Sequence, residues 1–196
     1  MTLILESSNN GGSTPAENVS YIVAREGSYE INGVKFEARK TTVNSSTVHR
    51  ITNFYDGKKV TFNQNFNDKP TLFHSLNTYN NGNFMTTSVS GPDTDCHELS
   101  CTPTQNGFDI EQEAGDTGNT ASDEQVGWIA VENISAFEIN SVAAETRVFS
   151  ESTDDGISQP RHVINYQQSF TETPITIVDG YSADGPDGYW SRTEGT

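Results

Sequence analysis

The sequence predicts an all-β protein built of antiparallel β-sandwich repeats with a period of about 105 residues, one unit complete and two present as complementary halves. Short runs rich in β-branched and aromatic residues alternate with turn chemistry. No stretch of helical length carries an apolar stripe at the helical period. Three blocks of sequence also recur in the same order. The candidate strands are YIVA (21–24), VTFNQNF (60–66), TLFHSL (71–76), FDIEQE (108–113), VGWIAV (126–131) and ITIVDGY (175–181). NNGG, NNGN, GDTGN, DDG and DGPDG fall between them, the residues that tight turns demand. In VTFNQNF, Val60, Phe62, Gln64 and Phe66 alternate with Thr61, Asn63 and Asn65, the pattern of a half-buried strand. Many short strands with polar connections point to a sandwich.

Composition narrows the partners. The chain has 196 residues, enough for one large or two small domains. Lys and Arg total 11 against 27 Asp and Glu, a net charge of −16 with no basic cluster. Nucleic acid and anionic membrane surfaces repel such a chain. Aromatic residues make up 10%, too many for a disordered tail. No apolar run reaches the roughly 18 residues of a membrane-spanning helix, and no signal peptide opens the sequence. Nucleic acid and membrane insertion are therefore not expected, and the partners expected are other copies or tandem neighbours of the chain, and glycans.

The repeat organises the rest. ENVSYIVARE, from Glu17, recurs as EQVGWIAVEN, from Glu124, an offset of 107 residues that sets Tyr21 against Trp128. YEINGVKFEAR (29–39) recurs as FEINSVAAETR (137–147) at offset 108, with six of eleven positions identical, among them Glu37/Glu145 and Arg39/Arg147. VTFNQNFNDKPTL maps onto INYQQSFTETPIT at offset 104, pairing Phe62 with Tyr166, Phe66 with Phe170 and Pro70 with Pro174.

The phase of this repeat predicts three segments. Residues 34–133 form a complete unit, 134–196 the N-terminal half of another, and 1–33 the C-terminal half of a third, because MTLILESSNNGGSTPAENVSYIVAREG has the layout of NGFDIEQEAGDTGNTASDEQVGWIAVEN. Half a sandwich leaves backbone groups and apolar side chains without partners. Closure within one chain, head-to-tail completion between molecules, and a window on a longer tandem array each solve that problem. The last two give a fibre. The strands expected to assemble carry Leu3, Leu5, Tyr21, Ile22 and Val23.

SFTETPITIV and NFNDKPTLFHSLNTY, followed by a GF-x-I/V strand and a closing (E/Q)-x-V-G-W-I-A-V strand, resemble the H-type lectin domain. They are closer still to tandem units of large secreted or surface proteins of bacteria, in which ENVSYIVAREG and INGVKFEAR have counterparts. The resemblance implies a six-stranded antiparallel sandwich at the cell surface or outside the cell. For true H-type lectins it further implies trimers and N-acetylgalactosamine binding. No position here matches a distinctive sugar-binding motif, so the resemblance bears on the framework.

Chemistry offers candidates of unequal weight. Cys96 and Cys101, the only cysteines, sit in a polar loop where a local disulfide is expected outside the cell. The competing reading, a metal site of Cys96, His97 and Cys101, lacks a fourth ligand and the close cysteine spacing of zinc sites. The four histidines lie in separate segments, His74 reads as a sheet-face side chain, and no nucleophile elbow is present, so the chain is expected to be non-catalytic. Glu37 and Arg39 share a strand face, as do Glu145 and Arg147, which reads as a repeated structural ion pair. Asp179, Asp184 and Asp187 around DGPDG, with Asp93, Asp95 and Glu98 in the cysteine loop, are candidate calcium ligands, although Asp-Gly is also ordinary turn chemistry. No other cofactor is expected. Tyr79, Asn80, Asn81 and Asn83 in one turn, with Tyr181 and Tyr189 at the equivalent turn, are candidate glycan contacts. The function expected is a non-catalytic extracellular subunit or segment of a fibre of tandem sandwiches linked by strand complementation. The alternative is a lectin-like adhesin module.

Overall fold

TLFHSL, FDIEQE and VGWIAV enter ladders as their alternation predicts. The computed structural model describes residues 21–44, 48–49, 57–81, 85–92, 102–114, 122–148 and 163–181. Its strands are β1 (Gly27–Ile31), β2 (Val34–Val43), β3 (Val48–His49), β4 (Lys58–Thr61) and β5 (Thr71–Leu76). They continue with β6 (Met85–Ser90), β7 (Gly107–Ala114), β8 (Glu124–Val131), β9 (Phe137–Ile139) and β10 (Val142–Ala144). No helix occurs among the described residues.

One sheet runs in the order β1-β2-β8-β5, antiparallel throughout, with Phe36 opposite Val131 and Thr71 opposite the same residue on the far side of β8. The other is centred on β7. Residues 109–110 pair with both β4 and β6, and residues 112–113 with both β3 and β6. Therefore β6 takes one flank of β7 while β3 and β4 share the other. The two-residue β3 ladder is parallel to β7, a departure from the all-antiparallel expectation.

Strand alternation decides what lies between the sheets. Val126, Trp128 and Ala130 of β8 point inward, as do Phe108 and Ile110 of β7, and all are buried. Phe62 and Phe66 join them, with ring centroids 5.0 Å apart, and Phe62 stands 5.4 Å from Phe108 and 5.9 Å from Trp128. Phe108 meets Trp128 edge to face at 5.3 Å. Each such pair contributes about 0.5–1.5 kcal/mol beyond its buried area. The indole N–H donates to Thr41 Oγ1 at 3.0 Å, so the largest core side chain leaves no donor unsatisfied.

Three expected strands differ. VTFNQNF is a strand only to Thr61. Beyond it the Asn63 and Gln64 amides donate to the Glu37 carboxylate at 2.8 and 2.7 Å instead of entering a ladder, although Phe62 and Phe66 are buried as the alternation predicts. YIVA and ITIVDGY carry no strand, because neither lies beside a ladder partner among the described residues. Conversely β6, MTTSVS, is a strand whose Thr and Ser content hides an inward face of Met85, Thr87 and Val89, all buried.

The β1–β2 hairpin turns on Asn32 and Gly33, with φ of 53° and 82°, and the β9–β10 hairpin turns on Asn140 and Ser141, with φ of 51° and 66°. Positive φ at both central residues marks the type I′ turn, whose twist matches that of paired strands. A Cβ added at Gly33 meets nothing within 4 Å, so only backbone conformation opposes a side chain there. Gly33→Ala is expected to lower unfolding stability by about 1 kcal/mol, the left-handed penalty for an L-residue, read as a shift of the urea midpoint at unchanged slope.

Asp109, on the outer face of β7 opposite Lys59, has a carboxylate oxygen with no hydrogen-bond partner. Burial pushes its carboxyl up to about 6, with Lys59 acting in the opposite sense. A folded-state value above the unfolded one of 3.8 makes the folded chain hold its proton more tightly, so this group's contribution falls as pH rises from about 4 through 6. Asp109→Asn is therefore expected to melt higher than the parent at pH 7.5. The gap should close as pH falls below both values, toward about 2.5, where the parent carboxyl is protonated in both states.

Candidate functional site

The candidate site comprises two exposed apolar surfaces, one in each terminal segment of the described residues. Tyr21 is the counterpart of Trp128 in the repeat, yet it is 69% exposed where Trp128 is 2% exposed. Ile22 and Val23 are exposed beside it. The residues that β8 uses to build a core are, in this segment, apolar side chains facing water.

The other surface follows β8. The β9–β10 hairpin leads into a segment in which the Glu145 carboxylate accepts from the Gln167 and Gln168 amides at 2.8 and 3.1 Å. This is the arrangement of Glu37 with Asn63 and Gln64, displaced by the offsets of the sequence repeat. Tyr166 and Phe170 meet edge to face at 5.4 Å and 79°, as Phe62 and Phe66 do at 5.0 Å and 78°. Arg39 Nε donates to Glu37 at 2.6 Å, whereas Arg147 donates to the Asn165 carbonyl at 2.9 Å. The local geometry recurs without the burial. Val142 is 66% exposed against 2% for Val34, and Ile175 is 79% exposed against 7% for Thr71.

Two sets of bonds hold this second segment to the sandwich. At the joint, the Asn32 side chain donates to the Glu138 carbonyl at 2.9 Å, and Phe36 and Phe137 meet edge to face at 6.4 Å. The Thr146 hydroxyl donates to the Glu132 carbonyl at 2.6 Å and accepts from the Ile134 amide. The Glu132 carboxylate accepts from the Lys35 amide and the Asn67 side chain. Farther along, the His74 amide donates to Asp179 at 2.7 Å, and the Tyr181 hydroxyl donates to the Pro70 carbonyl at 2.9 Å. His74 is no plain sheet-face residue. Its Nδ1 meets Thr87 Oγ1 at 2.7 Å across the sandwich, and its Nε2 meets the Gly180 carbonyl at 3.0 Å. That carbonyl only accepts, so Nε2 carries a proton.

These contacts place several sequence candidates. Asp179 is engaged by the His74 and Gly180 amides, and burial holds its carboxyl above the usual value while the His74 side chain and those two bonds act against the shift. Tyr181 packs against the core, and burial, reinforced by Asp68, raises its hydroxyl above the ordinary tyrosine range. The Asn81 amide is buried, with its nitrogen on Gln112, Ser122 and Glu124 and its oxygen accepting from the Ser122 amide. The Asn80 side chain donates to the Asp123 carbonyl. Of that turn's described candidates, Tyr79 and Asn80 are exposed. Asn83, Tyr189, Asp184, Asp187, Cys96, Cys101, Leu3 and Leu5 lie outside the described residues. Among the described residues no cluster of three or more His, Cys, Asp or Glu side chains is arranged to hold a metal.

Two carboxylates matter more than the sequence reading allowed. Glu124 accepts from the Asn80 and Asn81 amides at 2.7 and 2.9 Å and from the Thr78 hydroxyl, which fixes the turn. Glu132 organises the joint. The recurrence of Glu37 as Glu145 is the sequence signal of a repeated clamp, whereas Glu132 falls on Arg25 at the repeat offset and carries no such signal. Glu37→Gln keeps the shape but points an amide N–H at one of three donors. It is expected to cost about 2–4 kcal/mol in chemical denaturation, because the pocket is fully buried. No protein-family model, no curated protein and no solved structure matches the chain.

Proposed function

We propose that the chain is a non-catalytic structural protein of the cell exterior, a subunit or segment of a fibre whose tandem β-sandwiches join head to tail by strand complementation. One observation carries this reading. Residue types that are buried in the sandwich are bare at two places, and what one place lacks the other supplies. Tyr21 and Val23 are core-type residues exposed to water, while Tyr166 and Ile175 are exposed where Phe62 and Thr71 are buried, in a segment that has no middle strand among the described residues. Exposed apolar surface of this kind marks an interaction site, and an unpaired strand edge is a template for another chain. Contacts that recur from unit to unit produce an open line rather than a closed ring when the rotation does not close.

The resemblance to tandem surface-protein units supports an extracellular setting. The carbohydrate-binding alternative draws on the turn of Tyr79 and Asn80, both exposed, although the Asn80 and Asn81 side chains already bond within the chain. It is the weaker reading.

Assembly has to overcome a net charge of −16 on each copy. Copies that meet through apolar strands therefore associate better as salt shortens the range of repulsion, which falls to about 10 Å at 0.1 M. Light scattering after gel filtration, with negative-stain microscopy, is expected to show particles of several chain masses and linear form above about 0.15 M salt, shifting toward monomer at low salt. A monodisperse monomer at every salt and protein concentration overturns the reading.

A further inference from the structure

Resting on the head-to-tail reading, we infer that residues 21–24 of a second copy enter as a middle strand between residues 144–147 and 175–177, in the register that β8 keeps between β2 and β5. The sandwich itself supplies the template. In it Glu37 lies opposite Ala130, Ala38 opposite Ile129 and Arg39 opposite Trp128, while across β8 Leu72 lies opposite Ala130 and Phe73 opposite Ile129. The repeat offsets of 107 residues for the middle strand, 108 for its β2-side neighbour and 104 for its β5-side neighbour carry each pair to new residues. Val23 of the second copy then lies between Glu145 and Thr176, Ile22 between Thr146 and Ile177, and Tyr21 beside Arg147.

Register fixes which side chains turn inward, since a slip of one residue moves every side chain to the other face. In β8 the inward residues are Trp128 and Ala130, so Tyr21 and Val23 face the new core and Ile22 faces out. Tyr21 thereby comes against Tyr166, as Trp128 comes against Phe62 at 5.9 Å and 64°. The acceptor is already shaped for this. Glu145 holds residues 167–168 as Glu37 holds residues 63–64, and the Tyr166–Phe170 pair has the geometry of Phe62–Phe66. The second copy is also the occupant that continues the chain correctly. Its residue 24 leads within three residues into its own β1, just as Val131 leads toward β9. The joint repeats as well, because Asn140 of the acceptor stands where Asn32 stands and Glu30 of the second copy where Glu138 stands.

The outward pair gives the test without disturbing a core. Residues directly opposite in antiparallel neighbours have Cα atoms about 4.5–5.5 Å apart, within the Cα separation of about 4.4–6.8 Å that a disulfide spans. Single variants Ile22→Cys and Ile177→Cys are mixed under mild oxidation in assembly buffer and run on a non-reducing gel, with microscopy of the same samples. Ile22→Cys mixed with Thr176→Cys, one residue out of register, controls for pairing with Cys96 or Cys101. The expected result is a reducible dimer from the first mixture that is lost from the slipped mixture and from either variant alone. Fibres without that dimer, or with equal dimer from the slipped pair, overturn the inferred strand and register while leaving the fibre standing. Neither fibres nor dimer overturns both. A double variant Ile22→Cys/Ile177→Cys that yields only an internally bridged monomer overturns the second copy as occupant and assigns the slot to the chain's own strand.

Discussion

A single carboxylate sets the geometry on which the rest of the sandwich depends. Glu37, fully buried on β2, takes Arg39 Nε and the two amides of Asn63 and Gln64. Those three bonds compensate a charge whose burial is otherwise costly. They also tie a strand of one sheet to the chain that has just left β4 in the other. Because the amides of 63 and 64 are held there, Phe62 and Phe66 are delivered to the face of Phe108 and Trp128 rather than continuing along a ladder. The aromatic core, the end of β4 and the spacing of the two sheets at this edge all follow from where Glu37 sits.

A second polar centre does comparable work at the other end of the sandwich. Gln112, on β7, donates to the carbonyls of Val43, Asn44 and Ser122 and accepts from Asn81, while Glu124 clamps the turn at residues 78–81. Buried polar groups that are fully satisfied specify one arrangement more sharply than apolar packing does. Here they bring the end of β2 and the segments preceding β6 and β8 together.

Much of this was legible in the sequence, and the failures are physical. TLFHSL, FDIEQE and VGWIAV announce themselves because each has a buried face and a period of two. The Glu37–Arg39 pair was readable from spacing within one strand. The true extent of VTFNQNF was not, since the partner that ends the strand lies 26 residues away. The same limit explains Asn81, whose amide looked free for a ligand although Gln112 and Ser122 meet it from 31 and 41 residues away. YIVA shows the converse case. Its alternation is that of a strand, but alternation describes what a segment offers to a neighbour, and among the described residues no ladder takes it up. The bare segments were visible as a repeat out of phase. Their exposure depends on what packs against them, which no single segment of sequence states.

The way the chain enters and leaves the sandwich bears on how it carries tension. Gly27 lies opposite Ala38 on one flank of β2, and Val131 lies opposite Phe36 on the other. The points at which the chain enters and leaves are therefore two residues apart along one strand, about 7 Å at the usual strand rise. A force applied there runs across β1, β2 and β8 at one edge and bypasses Phe62 and Phe108. Since β1 and β8 are both antiparallel to β2, they run parallel to each other on its two flanks, and opposed pulls at Gly27 and Val131 act along the strands. Such a pull loads the hydrogen bonds of both ladders together, in shear, instead of opening them one pair at a time.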